Sequence, residues 1–284
     1  MTEGAVPLPA WGAGFSDQET VRGEVVAIAE SFITALLEYM PAETVTGVFA
    51  KGSAYKAWDS PIDYVPELND VDLHVQFAAG RPENDKGFEI EAALAIAAAT
   101  DEKYFARTSA PVHLPRLQFI PLEFMRKQPR YIPSPSGTKH LLVGSMPHES
   151  PVSLELSRES ARLNLLEQAS YLEMLGSQVI DKPGFYAREV LRRMVWRVSP
   201  SVPRLLEVLG LRFEDVWSAN RTQLVRLLES IGECELGADY AEFYLQGWKY
   251  FLSAYGDSAA GRQAIHHGAR VLKRVMAIVK TDAH

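Results

Sequence analysis

Two stretches decide the fold: VFAKGS at residues 48–53 and, after a further sixteen residues, DVDLHV at residues 70–75. The β-branched run that begins at Val45 predicts a short strand ending at Gly52-Ser53. In the second stretch apolar and polar residues alternate, which predicts a strand over 70–77 with one face buried. Because alternate side chains of a strand share a face, Asp70 and Asp72 are expected to project the same way.

This arrangement predicts a site for a divalent cation and phosphates. Two carboxylates about 7 Å apart on one strand repel each other when both are ionised, and a bound cation removes that cost. Hard oxygen ligands of this kind suit magnesium bound together with substrate phosphates. Gly52 permits close backbone approach, and exposed N–H groups with the Ser53 hydroxyl can hold phosphate oxygens. The alternative for Asp-x-Asp is ordinary polarity on an exposed strand face.

The rest of the chain indicates an α+β first half and an all-helical second half. Periodicity in the first half predicts helices over 20–40 and 88–99, a strand over 112–125 and a further strand near 141–143. Residues 128–153 are rich in proline, glycine and serine and mark the clearest boundary. We therefore expect an extended segment at 1–19, a mixed-sheet domain at 20–150 and a helical bundle at 151–284. Within the bundle, Ser199-Pro200 predicts a helix start.

Composition excludes several classes of protein. The 284 residues carry a formal charge of −7, and 47% are hydrophobic, so disorder is not expected. Cys234 is the single cysteine, which rules out an intramolecular disulfide framework and a multi-cysteine zinc site. No apolar run is long enough for a membrane span, and no signal peptide is visible, so a cytoplasmic protein is expected. Residues 1–150 hold 12 basic and 20 acidic side chains, which makes nucleic acid an unexpected partner.

The order of these elements resembles the nucleotidyltransferase superfamily typified by DNA polymerase beta. The resemblance covers roughly residues 20–125 and is carried by the helix over 20–40, the strand ending in Gly52-Ser53 and the strand with Asp70 and Asp72. It implies a polymerase beta-like domain with a mixed sheet. The helical second half is similar in architecture to that of aminoglycoside nucleotidyltransferases. The sixteen residues between the two motifs exceed the family's usual spacing, which an insertion around 57–64 would explain.

The resemblance also implies roles for particular residues. Asp70 and Asp72 would hold Mg²⁺, with Glu123, between Leu122 and Phe124, as third ligand and base for the acceptor hydroxyl. If the third position falls on Gln118 instead, the set of three carboxylates is broken. Gly52 and Ser53 would clamp the phosphates of the nucleotide. The cations that could assist them are Lys51, Lys56, Arg116, Arg126 or an arginine of the helical half.

The resemblance implies that the protein is an enzyme. It would transfer a nucleoside monophosphate, AMP from ATP, to a hydroxyl of a small molecule or protein. The alternative is a catalytically degenerate nucleotide-binding protein, or an antitoxin-like regulatory or interaction protein. The sequence leaves open whether the protein forms a homodimer. His74 shares the face of the two aspartates and is expected to be a polar neighbour of the site. Four arginines spaced along one predicted helix form either a solvated face or a phosphate-binding row: Arg188, Arg192, Arg193 and Arg197.

Overall fold

The computed structural model describes residues 5–12, 14–81, 83, 87–149 and 152–281. The protein is α+β, as predicted, with a four-stranded mixed sheet and extensive helix. The strands are β1 (Val45–Lys51), β2 (Val71–Phe77), β3 (Leu117–Pro121) and β4 (His140–Gly144). The helices are α1 (Gln18–Tyr39), α2 (Ile90–Arg107), α3 (Leu122–Arg126), α4 (Leu154–Leu166), α5 (Gln168–Asp181), α6 (Ala187–Val208), α7 (Phe213–Ser218), α8 (Arg221–Ser230), α9 (Cys234–Leu252) and α10 (Ser258–Thr281).

Contacts divide the chain into two compact units. The sheet unit comprises Ser16–Lys56 and Asp70–Pro151, and the helical unit comprises Met1–Phe15, Ala57–Asn69 and Val152–His284. This division differs from the predicted domains at 20–150 and 151–284, because residues 57–69 group with the helical unit. The predicted boundary between residues 150 and 151 lies outside the described residues.

The sheet has the order β3-β2-β1-β4, with β1 antiparallel to both of its neighbours and β2 parallel to β3. Val48 lies opposite Val75, and Ala50 lies opposite Leu73. All four of these side chains are buried, and α1, which packs along α2, also contacts β2. The residues that alternate with them along the two strands are mostly polar. The sheet therefore has one apolar face and one face that carries polar side chains.

The predicted strand over 112–125 is shorter than expected. β3 ends at Pro121, and the chain turns directly into the short helix α3. Pro121 explains the change: it has no N–H to extend a strand ladder, and its φ of −64° suits the residue that precedes a helix. Glu123 therefore lies on a helix and not on the strand that the sequence predicted.

A buried carboxylate fixes the segment that leads into β3. Glu24 of α1 accepts hydrogen bonds from the backbone N–H groups of Val112 (2.9 Å) and His113 (2.7 Å). The His113 ring is fully buried, with Nδ1 2.7 Å from the carbonyl oxygen of Leu114. Burial, together with the charge of Arg116, lowers the pKa of His113 to about 4. The ring is neutral in the folded protein at neutral pH.

This burial predicts a loss of stability in mild acid. The unfolded chain takes up a proton on His113 at its ordinary pKa near 6.5, whereas the folded chain does so only near 4. The contribution of the neutral His113 ring to the free energy of unfolding is therefore complete above pH 6.5. It is lost as the pH falls toward 4, by about 1.4 kcal/mol per pH unit. Urea unfolding at pH 7, 6 and 5 measures it. In His113→Gln, the number of protons taken up on unfolding should fall by about one, so the free energy of unfolding should depend less on pH. The same pH dependence in wild type and His113→Gln would contradict the account.

The helical unit is built around a single apolar core. α9 packs along α10, and α10 packs along α6. The predicted helix start at Ser199-Pro200 is wrong, because α6 runs from Ala187 to Val208 through Pro200 and Pro203. Its apolar face continues across the prolines: Val198, Val202, Leu205 and Leu206 are all fully buried. Burying each such side chain gains about 1.5–3 kcal/mol, which outweighs the roughly 3 kcal/mol cost of an internal proline.

Residues 57–69 are fixed within the helical unit by two buried side chains. Asp63 accepts hydrogen bonds from the backbone N–H (2.8 Å) and the hydroxyl (2.8 Å) of Thr222 at the start of α8. Arg221 donates to the carbonyl oxygens of Ile62 (2.9 Å) and Asp63 (2.8 Å). The segment 57–69 is thus an ordered part of the helical unit. Among the described residues, no helix is both long and apolar enough to cross a membrane.

Candidate functional site

The turn that follows β1 brings the Gly-Ser motif against Asp72. Gly52 has φ +81° and ψ −168°, a region that is essentially restricted to glycine, and it precedes a 3-10 turn over Ser53–Tyr55. A Cβ atom placed on Gly52 would lie 2.1 Å from Oδ2 of Asp72. The carboxylate therefore occupies the space above the glycine, and the two sequence motifs meet at one point of the sheet unit.

Asp72 also faces a lysine. In the β1–β2 pairing, Lys51 lies directly opposite Asp72. The amine of Lys51 donates to Oγ of Ser134 at 3.0 Å. Burial lowers the pKa of Lys51, and the charge of Asp72 acts in the opposite direction. This cation was among the sequence candidates, and the structure places it beside a predicted metal ligand.

Asp70 precedes β2 by one residue and is buried next to an arginine. Nη2 of Arg116 lies 3.8 Å from Oδ2 of Asp70, and both side chains are about nine-tenths buried or more. The backbone fixes this arrangement, since the N–H of Val71 donates to the carbonyl oxygen of Arg116 at 2.9 Å. The two aspartates thus sit at the same end of β2, each with a cationic side chain near it.

The third predicted ligand does not join them. Gln118 of β3 is the residue in register with Asp72 in the parallel pairing. Glu123 lies on α3 and forms an ion pair with Arg126, whose Nη2 also donates to the carbonyl oxygen of His148 at 2.9 Å. In the described part of the chain, no group of three or more His, Cys, Asp or Glu residues is placed to hold a metal ion. The structure brings Asp72 against the glycine turn, with Asp70 two residues before it and the amide of Gln118 in register with it.

The other two predicted phosphate ligands, Ser53 and Lys56, lie at the start of the turn and directly after it. Ser53 begins the 3-10 turn, and Tyr55 N–H donates to the carbonyl oxygen of Gly52 at 3.2 Å. Lys56 comes directly after the turn, where its carbonyl oxygen accepts a hydrogen bond from Nη2 of Arg22 at 3.2 Å. That bond holds the end of the turn against α1.

His74 extends the polar face of β2 into the interior. Its ring is 1% exposed and stacks on Phe49, with ring centroids 5.0 Å apart. Neither ring nitrogen has a hydrogen-bond partner within the described structure. Burial, aided by the charges of Lys51 and Lys139, lowers the pKa of His74 to about 2. The sequence placed His74 correctly on the face of Asp72.

Sequence reasoning missed the pair formed by Lys139 and Glu149. The two side chains form an ion pair, and the Lys139 amine lies 5.7 Å from the centroid of Phe49. Desolvation, with the charges of Lys51 and Arg126, lowers the pKa of Lys139 to about 8. Lys139 directly precedes β4, so only the pairing of β4 with β1 carries it to the polar face. No local signal in the sequence indicates this position.

Comparisons with protein-family models, with curated proteins and with solved structures found no match.

Proposed function

We propose that the sheet unit binds a nucleoside triphosphate together with Mg²⁺ and transfers its nucleoside monophosphate to a hydroxyl acceptor. The observation that carries this proposal is the position of the Asp72 carboxylate directly above Gly52. The backbone of the turn can approach phosphates, and the carboxylate can hold a cation. Because the two groups are adjacent, both can contact the same bound magnesium–nucleotide. ATP is the expected nucleotide, and a small molecule or a protein is the expected acceptor.

The order of elements supports the same proposal. A helix precedes the strand that ends directly before Gly52-Ser53, and the next strand begins directly after Asp70 and contains Asp72. This is the order of the polymerase beta-like superfamily, to which the sequence motifs are similar. The mixed sheet, with β2 between β1 and β3, agrees with the fold that the resemblance implies.

The donor set fits a hard divalent cation in part. Asp70 and Asp72 supply carboxylate oxygens, which together with phosphate oxygens are the usual ligands of protein-bound Mg²⁺. When bound, Mg²⁺ would neutralise charge on the phosphates at the reacting centre. Glu123 does not belong to this donor set, because it is paired with Arg126 on α3. Lys51, Lys56 and Arg116 provide positive charge for the phosphates, and Ser53 provides a hydroxyl donor.

A second candidate function is nucleotide binding without transfer. The observation that favours it is Gln118, which stands opposite Asp72 where the resemblance implies an acid. An amide carries no charge to hold a second cation and has no basic group to accept a proton from an acceptor hydroxyl. The protein would then keep the nucleotide site and act through binding alone.

Pyrophosphate release from ATP separates the two candidates. We expect magnesium-dependent release with a suitable acceptor, reduced at least about 100-fold in Asp72→Asn. Nucleotide binding without pyrophosphate release, whichever acceptor is supplied, would support the second candidate. In that case Gln118→Asp, which restores a carboxylate opposite Asp72, should raise the release rate, whereas the matched variant Gln118→Leu should not. Release that is equal in wild type and Asp72→Asn would contradict transfer at this site.

A further inference from the structure

A loop between α3 and β4 contacts the polar face of the sheet. Residues 131–139, which we call the lid, follow α3 after a short connection and lead directly into β4. The hydroxyl of Ser134, in the lid, accepts a hydrogen bond from the amine of Lys51 at 3.0 Å. Lys51 lies opposite Asp72 in the β1–β2 pairing. The lid therefore reaches the polar face beside the residue on which the proposed function depends.

Both ends of the lid meet at one carboxylate. The hydroxyl of Tyr131, the first residue of the lid, donates to Oε1 of Glu149 at 3.1 Å. Lys139, the last residue of the lid, forms an ion pair with the other carboxylate oxygen. The side chains of Lys139 and Glu149 are only 6% and 10% exposed. A short surface loop whose ends are held close together in this way is frequently a functional element.

The lid adds nothing to the apolar core of the sheet unit. All residues from 123 to 149 are described, and no apolar one among them is buried. Arg130, directly before the lid, has φ +65°, a left-handed conformation that is costly for a residue with a side chain. Segments with few buried apolar contacts open at a low free-energy cost while the core stays folded. The polar contacts at Lys51 and Glu149 are therefore what keeps the lid in place.

The face beside the lid contains polar groups that the closed structure leaves unsatisfied. His74 is 1% exposed, and neither of its ring nitrogens has a hydrogen-bond partner within the described structure. The Lys139 amine, at the end of the lid, lies 5.7 Å from the centroid of Phe49, the ring that stacks on His74. Ser134 offers the Lys51 amine a neutral acceptor. A phosphate oxygen carries the opposite charge and binds an ammonium group more strongly, so it can replace the serine.

We propose that the lid closes the polar face of the sheet, and that release of Ser134 from Lys51 opens it to a phosphate-bearing ligand. The proposal deepens the proposed function and rests on it for the identity of that ligand. The opening itself requires no nucleotide, so it can be measured independently. The lid, Lys51, His74 and Glu149 all belong to the sheet unit.

Modification of histidines by diethyl pyrocarbonate at pH 7, followed by peptide mass mapping of the full chain, measures the opening. Burial lowers the pKa of both His74 and His113 well below 7, so both rings are neutral and their reaction rates report access. We expect Ser134→Ala to raise the rate at His74 at least about tenfold, because opening no longer breaks a hydrogen bond to a charged amine. The rate at His113, which is buried elsewhere in the same unit, should not change.

Two further variants show whether the lid itself is responsible. Glu149→Gln weakens the contact that joins the ends of the lid, so it should also raise the rate at His74. Ser136→Ala is the matched control, because Ser136 is an exposed serine of the same lid, two residues from Ser134. We expect this control to react like wild type.

The outcomes separate the lid from the proposed function. Equal rates at His74 in wild type, Ser134→Ala and Glu149→Gln would overturn the proposal. An equal rise at His74 and His113 would also overturn it, because that rise would report unfolding of the sheet unit. With ATP and magnesium, Ser134→Ala should bind up to about tenfold more tightly, because more of the protein is open. Unchanged affinity would contradict the link to the nucleotide. If ATP binds neither protein, the proposed function fails, while faster reaction of His74 still supports the lid.

Discussion

Gly52→Ala should abolish magnesium-dependent nucleotide binding and destabilise the sheet unit. The glycine has φ +81° and ψ −168°, a conformation that costs about 1–3 kcal/mol for residues with a side chain. The added Cβ would also lie 2.1 Å from Oδ2 of Asp72, so the carboxylate or the turn must move. Such overpacking adds about 1–3 kcal/mol. The variant therefore displaces a proposed cation ligand and the proposed phosphate-binding backbone together.

Calorimetric nucleotide titration and hydrogen exchange of peptides from β1 and β2 measure both effects. Gly80→Ala is the matched control in the same unit, because Gly80 also has a positive φ (+78°) but has open space where its Cβ would stand. We expect the control to lose about 1–2 kcal/mol of stability while nucleotide binding is retained. Equal loss of binding in the two variants would show that backbone strain alone, and not the contact with Asp72, accounts for the effect.

Asp63→Ala should be the most destabilising substitution in the segment 57–69. Its carboxylate is 2% exposed and accepts four hydrogen bonds: two from Thr222 and one each from the backbone N–H groups of Asp59 (2.8 Å) and Ser60 (3.0 Å). Removing it leaves buried donors unsatisfied beside the charge of Arg221. Breaking a buried charged group of this kind costs about 3–5 kcal/mol.

Tryptophan fluorescence during urea unfolding measures this loss. All five tryptophans lie in the helical unit, and Trp58 stacks on Tyr64 within the segment itself, with ring centroids 4.6 Å apart. Asp215→Ala is the matched control: its ion pair with Arg212 is exposed, so a loss below about 1 kcal/mol is expected. Similar urea midpoints of unfolding for Asp63→Ala and Asp215→Ala would contradict the role assigned to Asp63.

Local sequence patterns predicted the elements that a local signal determines. Alternation defined β2, the β-branched run defined β1, and the short strand near 141–143 is present as β4. Two expectations failed for identifiable reasons. The strand over 112–125 stops at Pro121, and the helix expected to begin at Pro200 is a continuation of α6, which begins at Ala187. In the second case burial of one continuous helix face outweighs the local effect of proline, and burial is a property of the whole unit.

The site was predictable where its residues are close along the strand. Asp72 and His74 share β2 and its alternation, Asp70 directly precedes that strand, and the Gly-Ser turn directly follows the strand paired with it. By contrast, the residue opposite Asp72 on β3 depends on the register of parallel strands that are separated by about forty residues. That register selects Gln118 and leaves Glu123 on α3. Likewise, Asp63 and Thr222 meet across 159 positions of the chain, which no local pattern indicates.

Calorimetric titration of ATP, with magnesium and with EDTA, tests the central claim most directly. The account predicts a magnesium-dependent component of binding in wild type that weakens at least about tenfold in Asp72→Asn, since a charged ligand becomes an amide. Asp101→Asn, an exposed substitution on α2, should bind like wild type. ATP binding that is the same in magnesium and in EDTA, or the same in wild type and Asp72→Asn, would contradict a magnesium–nucleotide site at Gly52 and Asp72.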